Sequence, residues 1–150
     1  MITLDYRLSS RADDLTGQGL VSATEAELRY RLFLGDVALR VGDANFSADW
    51  GWVPILDFAL GLEYAARELL HGKNEALFEF TESDSVIQFR RDEGDVVVSA
   101  SYAPDTTVVN LEDLVKAAVE FRKRVVDDLL LIHPQLRMNS TMRNLTGDTL

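Results

Sequence analysis

The sequence predicts an α+β domain: a single mostly antiparallel sheet of about six strands, in the order βββα followed by βββα, with two helices packed on one face of it. Three observations predict this class. Two stretches, one after Pro54 and one after Asn110, repeat apolar residues at helical spacing and so carry one apolar stripe each. Short runs that alternate apolar and polar residues precede both. Polar turns containing Gly, Asp, Glu and Ser separate those runs. A helix stripe needs a dry surface to bury against, and antiparallel strands with one wet face supply it.

Taken in order, Ile2, Leu4, Tyr6 and Leu8 alternate with Thr3, Asp5 and Arg7, the period of a strand with one dry face. Residues 9–25 form a long polar connection with Gly17 and Gly19, of a length that is often functional or mobile. Leu28, Tyr30, Leu32 and Leu34 then alternate with Glu27, Arg29, Arg31 and Phe33. Gly35 and Asp36 lead on to Val37, Leu39 and Val41, so a two-residue hairpin is expected at Gly35-Asp36. Over residues 43–53 the pattern breaks down. Pro54 fits the first position of a helix, where its missing N–H costs nothing. Ile55, Phe58, Ala59, Leu62, Ala65, Ala66 and Leu69 follow at helical spacing, with Glu63 and Arg67 four apart as a surface pair. Gly61 costs this helix about 1 kcal/mol relative to alanine, which points to close approach of another element. His71 and Gly72 close it.

Three strands are expected near 76–81, 85–91 and 95–102, as a meander with turns at 82–84 and 92–94. Asn110 then caps a long helix, with Asp113 at its third position and Val109 and Leu114 as a hydrophobic staple. Leu111, Leu114, Val115, Ala118, Phe121, Val125, Leu129 and Ile132 mark its buried stripe; Glu112 with Lys116 and Glu120 with Arg124 pair on its wet side. Pro134 ends it. The domain is therefore expected over 1–134, with 135–150 a loosely held or disordered tail. The doubled βββα order raises an internal duplication, without residue-by-residue identity between the halves.

The 150 residues suit one domain with a real core, and 47% hydrophobic with 27% charged residues are globular proportions. Without cysteine, disulfides, thiolate metal sites and a cysteine nucleophile are excluded. Twenty-five acidic against 15 basic residues give a net charge of −10, which repels phosphate backbones and anionic lipid surfaces. Nucleic acid and membrane are therefore not expected as partners. The charge serves either solubility alone or a basic protein partner. The first residues alternate and include Asp5, unlike a signal or transit peptide, and no apolar run approaches the roughly 20 residues that cross a bilayer; a cytoplasmic protein is expected.

Catalytic signatures are missing: no G-x-S-x-G, no phosphate-binding G-x-x-x-x-G-K-[ST], no G-x-G-x-x-G after a strand and no H-E-x-x-H. His71 and His133 each fall at a predicted helix end, where capping accounts for them. Glu82 and Asp84 stand a strand's length, about 20 Å, from Asp92, Glu93 and Asp95, so the two groups cannot share an ion and read as solvated turns. Arg90, Arg91 and the run Arg122, Lys123, Arg124 read as wet faces in an acidic chain. No enzyme, cofactor or metal site is expected.

The segment that stands out is 43–52, which sets Phe46, Trp50 and Trp52, including both tryptophans, among Asp43 and Asp49. These rings either plug one end of the core or anchor a partner, with the carboxylates complementing its positive charge. In size, charge and element order the chain resembles the small acidic immunity proteins of bacterial toxin–immunity systems. That resemblance implies a non-enzymatic protein that binds a cognate toxin domain, often a basic nuclease, and blocks it. It carries over no individual residue. A small-ligand-binding domain and a structural or assembly subunit are the alternatives.

Overall fold

The computed structural model describes residues 1–9 and 17–147. In chain order its elements are β1 (Ile2–Leu8), α1 (Gly17–Val21), α2 (Glu25–Tyr30), β2 (Leu34–Val41), β3 (Ala44–Asn45), β4 (Ala48–Pro54), α3 (Ile55–Leu70), β5 (Glu75–Glu79), β6 (Val86–Asp92), β7 (Asp95–Ala100), β8 (Ala103–Asn110), α4 (Leu111–Ile132), a 3-10 helix (Pro134–Met138) and α5 (Ser140–Thr146). The class is α+β with antiparallel pairing, but the single six-stranded sheet with two helices is overturned. Two four-stranded sheets and five α-helices are present among the described residues. In the first sheet β2 is central, with β1 on one side and β3 and β4 in succession on the other; the second is the meander β5-β6-β7-β8. None of the described helices is long and apolar enough to cross a membrane.

The corrections have local causes. Residues 25–30 are helical because Thr24 and Glu27 form a capping box: the Thr24 hydroxyl accepts from the Glu27 N–H at 3.2 Å and the Glu27 carboxylate accepts from the Thr24 N–H at 3.0 Å. The Gly35-Asp36 pair lies inside β2, and the two-residue hairpin falls instead at the next Gly-Asp, between Val41 and Ala44, where Gly42 takes φ 59°. Gly35 serves proximity: a Cβ there would lie 1.9 Å from the Arg7 carbonyl oxygen of the neighbouring strand. Residues 103–110, between the last expected strand and the Asn110-capped helix, form a further strand, β8, which widens the meander to four.

Both long helices form where the apolar stripes place them. Asn110 caps α4 through its side-chain oxygen, which accepts from the Asp113 N–H at 3.2 Å. Pro54 closes β4 and caps α3 rather than opening it, and His71 and His133 sit at the C-terminal caps of α3 and α4. The helices pack on each other: Phe58 meets Phe121 at 6.0 Å, Glu63 meets Arg122, and the start of α3 hydrogen-bonds Phe33, whose ring packs on His133. At Gly61 a Cβ would come within 2.7 Å of the Phe78 ring, the close approach that the helical glycine implied.

The stretch expected to hang loosely, 135–150, folds back over 135–147 into the 3-10 helix and α5, with Leu136 and Met142 fully buried; 148–150 lie outside the described residues, as do 10–16 of the polar connection. Its fastener is Asn139. The buried Asn139 amide donates to the carbonyls of Leu20 and Ala23 at 2.7 and 3.0 Å, and its oxygen accepts from the Met142 N–H at 2.9 Å. One polar side chain thus caps a seven-residue helix and ties it to α1 and to the connection between α1 and α2.

Arg122, expected on a wet face, is buried at the interface of α3 and α4, and Glu63 is buried with it. Arg122 donates to Glu63 at 2.7 Å, and Arg67 donates to the other Glu63 oxygen at 3.0 Å. Burial works to raise the Glu63 carboxyl, but the Arg122 and Arg67 guanidiniums outweigh it and hold it below 4.5. Glu63→Gln leaves Arg122 buried with a weakened partner and should cost about 3 kcal/mol at neutral pH by urea denaturation, whereas the pair Glu63→Met with Arg122→Met should recover most of that loss. Because the folded value lies below the ordinary one, the Glu63 contribution is complete above pH 4.5 and disappears as the pH falls through the folded value. The gap between wild type and Glu63→Gln should narrow in that acid range.

Candidate functional site

The segment that broke the strand period is a bulge. Gly35 pairs with Val53 and Val37 with Ala48, so a two-residue advance on β2 is matched by five residues on β4, and the surplus is pushed out of the ladder. The extruded residues are Asp49, Trp50, Gly51 and Trp52. Asp36 fixes them from the facing strand: its carboxylate accepts from the Gly51 N–H at 2.7 Å and from Arg7 at 2.9 Å, while the Ser9 hydroxyl donates to the Gly51 carbonyl at 2.6 Å. Gly51 stands at φ 76°, a conformation glycine adopts without the cost of a Cβ.

The two indoles, two residues apart, stack with centroids 5.0 Å apart and planes 23° from parallel. Trp50 also meets Phe80 and Tyr102 edge-on, each at 5.1 Å. Phe80 is buried, so Trp50 closes the core where the two sheets approach. The Tyr102 hydroxyl donates to the Phe46 carbonyl at 2.6 Å, and burial pushes its phenol well above the ordinary value. Trp52, seated on Trp50, forms one wall of an open cleft of about 540 Å³ whose other walls are Tyr30, Arg31, Leu34 and Glu82.

Helix α2 brings Tyr30 and Arg31 to the cleft. Its capping box sets its start, and the two bonds from Thr24 hold the Glu27 carboxyl below its ordinary value. Leu28 buries its inner side, and Arg29 bonds Asp57 at 2.8 Å in the first turn of α3. Burial raises the Asp57 carboxyl, and the Arg29 contact only partly opposes this. Glu82 comes from the turn between β5 and β6, two residues beyond Phe80. Among the described residues neither Arg31 nor Glu82 is engaged in an ion pair.

Of the residues singled out by sequence, Asp49, Trp50 and Trp52 come together on the bulge, with both rings half-buried and Asp49 exposed. Phe46 is 0% exposed, so its ring plugs the core and presents no surface. Asp43 is exposed in the hairpin turn before β3, apart from the bulge. Tyr30, Arg31, Leu34 and Glu82 were missed. The T-x-x-E signature at Thr24 and Glu27 was the available signal for α2; nothing local announces that the 82–84 turn faces Trp52.

Chemically the cleft offers aromatic faces, one cation and one carboxylate, a set suited to recognition. Among the described residues no three His, Asp or Glu side chains gather to hold a metal ion. No protein-family model, no curated protein and no solved structure matches the chain. If Asp36 fixes the indoles, Asp36→Ala should remove the acceptor of the Gly51 N–H, cost about 1–3 kcal/mol, and weaken the near-ultraviolet circular-dichroism couplet of the stacked tryptophans. Retention of both the couplet and the stability would show that the bulge is held otherwise.

Proposed function

We propose that this protein binds a basic protein partner through the Trp52 cleft and blocks it, in the manner of an immunity protein and its cognate toxin. The observation that carries this reading is the support beneath Trp52. Its indole is stacked on Trp50, which is itself wedged against Phe80 and Tyr102, so a partner meets a ring whose freedom is already spent. Such rigid aromatic anchors concentrate binding energy. Beside it the unpaired Glu82 favours a cationic side chain held over the indole face. The net charge of −10 speeds encounter with a basic surface. Arg31, on the same cleft, repels a second positive group and so sets the orientation of the first. Size and charge agree with the resemblance to immunity proteins; element order does not, because the doubled βββα pattern is absent.

A second reading has one specific observation in its favour. The cleft volume of about 540 Å³ falls within the range of small-molecule sites, and Tyr30 and Trp52 could hold a flat ligand. Capture with tagged wild type and Trp52→Ala separates the two. On the protein reading, one basic protein is recovered at low salt, salt slows its association, and Trp52→Ala weakens binding by at least about 2 kcal/mol while the fold is kept, its stability lowered by the lost stack on Trp50. Recovery of no protein, or equal recovery by Trp52→Ala, would overturn it. Quenching of tryptophan fluorescence by small aromatic ligands, without any protein recovered, would favour the second.

A further inference from the structure

Strand β5 lies at the outer edge of its sheet, paired only with β6. The Arg91 N–H donates to the Asn74 carbonyl at 2.7 Å and the Phe80 N–H to the Ser85 carbonyl at 3.0 Å, which marks both as hydrogen-bonded pairs of the antiparallel ladder. By alternation Ala76 and Phe78 also bond to β6. The N–H and C=O groups of Glu75, Leu77 and Glu79 therefore point away from the sheet. The corresponding edge of β1 is treated differently. There Ser9 and Gly42 set the alternation so that Leu4 and Tyr6 face outward, yet Arg124 donates to the Leu4 carbonyl at 2.6 Å and the Asp5 carboxylate accepts from the Tyr6 N–H at 2.8 Å. Among the described residues no side chain bonds the outward groups of β5 in this way.

The side chains along that edge have a definite pattern. Glu75, Leu77 and Glu79 project from one face, all exposed, with Leu77 51% exposed. Arg90, the cross-strand neighbour of Glu75, closes no ion pair with it among the described residues. Between β5 and α3 runs a groove of about 330 Å³, with Ala65, Glu68 and the 68%-exposed Tyr64 on its helix wall, Ala76 on its strand wall and the Lys73–Glu68 ion pair at its rim. Such an open edge is a template for another strand. A second copy of this chain fits poorly: antiparallel pairing about Leu77 would set Glu75 of each copy against Glu79 of the other, like charges directly opposed.

We propose that the edge of β5 is a strand-addition site for an extended polypeptide segment with cationic side chains at positions i and i+4 and an apolar one at i+2. Its backbone pairs with Glu75, Leu77 and Glu79. Its cations meet the two carboxylates and its middle side chain covers Leu77, while the intervening residues, apolar and small, enter the groove beside Tyr64 and Ala65. This site lies outside the Trp52 cleft and does not rest on it.

The test uses the full chain and a capped peptide of sequence lysine-valine-leucine-valine-lysine flanked by threonines. Fluorescence anisotropy should show saturable binding, and hydrogen exchange read by NMR should slow at least about tenfold at the amides of Leu77 and Glu79. A peptide methylated on the backbone nitrogen that faces β5 should lose binding, and one with glutamate for lysine should bind about tenfold or more weakly. Leu77→Pro removes only an outward N–H, so β6 pairing is kept while binding is lost. Should that variant misfold, the methylated peptide gives the same answer with the wild-type protein. Trp52→Ala should leave the peptide affinity unchanged. No binding, indifference to backbone methylation, protection at residues other than those of β5, or dimerisation through β5 would each overturn the proposal.

Discussion

Phe58 is the point on which the fold turns. Its ring, on α3, meets Phe78 edge-on at 5.1 Å, lies nearly parallel to Phe80 at 6.1 Å, and meets Phe121 of α4 edge-on at 6.0 Å. One side chain thereby joins both long helices to the second sheet. The line of rings continues outward through Phe80 to Trp50 and Trp52, and in the other direction through Phe121 to Tyr6 of β1 at 6.0 Å. Aromatic pairs of this geometry stabilise by about 0.5–1.5 kcal/mol beyond the area they bury. The surface indoles are therefore the exposed end of a core that crosses the molecule.

Polar groups are admitted to that core only where they are paired. Glu63 and Arg122 join the two helices in a fixed register, because sliding one past the other would strand both charges in an apolar interface. At the end of the aromatic line the Tyr6 hydroxyl donates to Asp128 at 2.5 Å; burial raises the phenol, and the carboxylate beside it raises it further. Asn139 does for the short C-terminal helix what the ion pair does for the long ones.

Both candidate surfaces arise where a β-ladder is left incomplete. In β4 the surplus residues cannot pair with β2, and the indoles they carry are turned into a wall of a cleft. In β5 the ladder is complete on one side and open on the other, with carboxylates flanking a single exposed leucine. A backbone that is not satisfied within its own sheet can recognise another chain, and acidic side chains bias which chain that is.

Features that depend on near neighbours could be read from the order of residues alone. The stripes of α3 and α4, the Asn110 cap, the β1 alternation and the first two hairpins of the meander were legible, since each is decided within a few residues. Gly61 could be read as a contact, though not with what. The rest was settled by contacts between distant residues. The same Gly-Asp dipeptide occurs at 35 and at 42, and only the approach of β1 to Gly35 makes the first part of a strand and leaves the second as the turn. Trp50 and Trp52 could be picked out, but Tyr30, Arg31, Leu34 and Glu82 come to the cleft from α2, the start of β2 and a distant turn. Periodicity reports which face of an element is dry; it carries no information about which element lies against that face, because that is settled by packing between residues far apart in the chain.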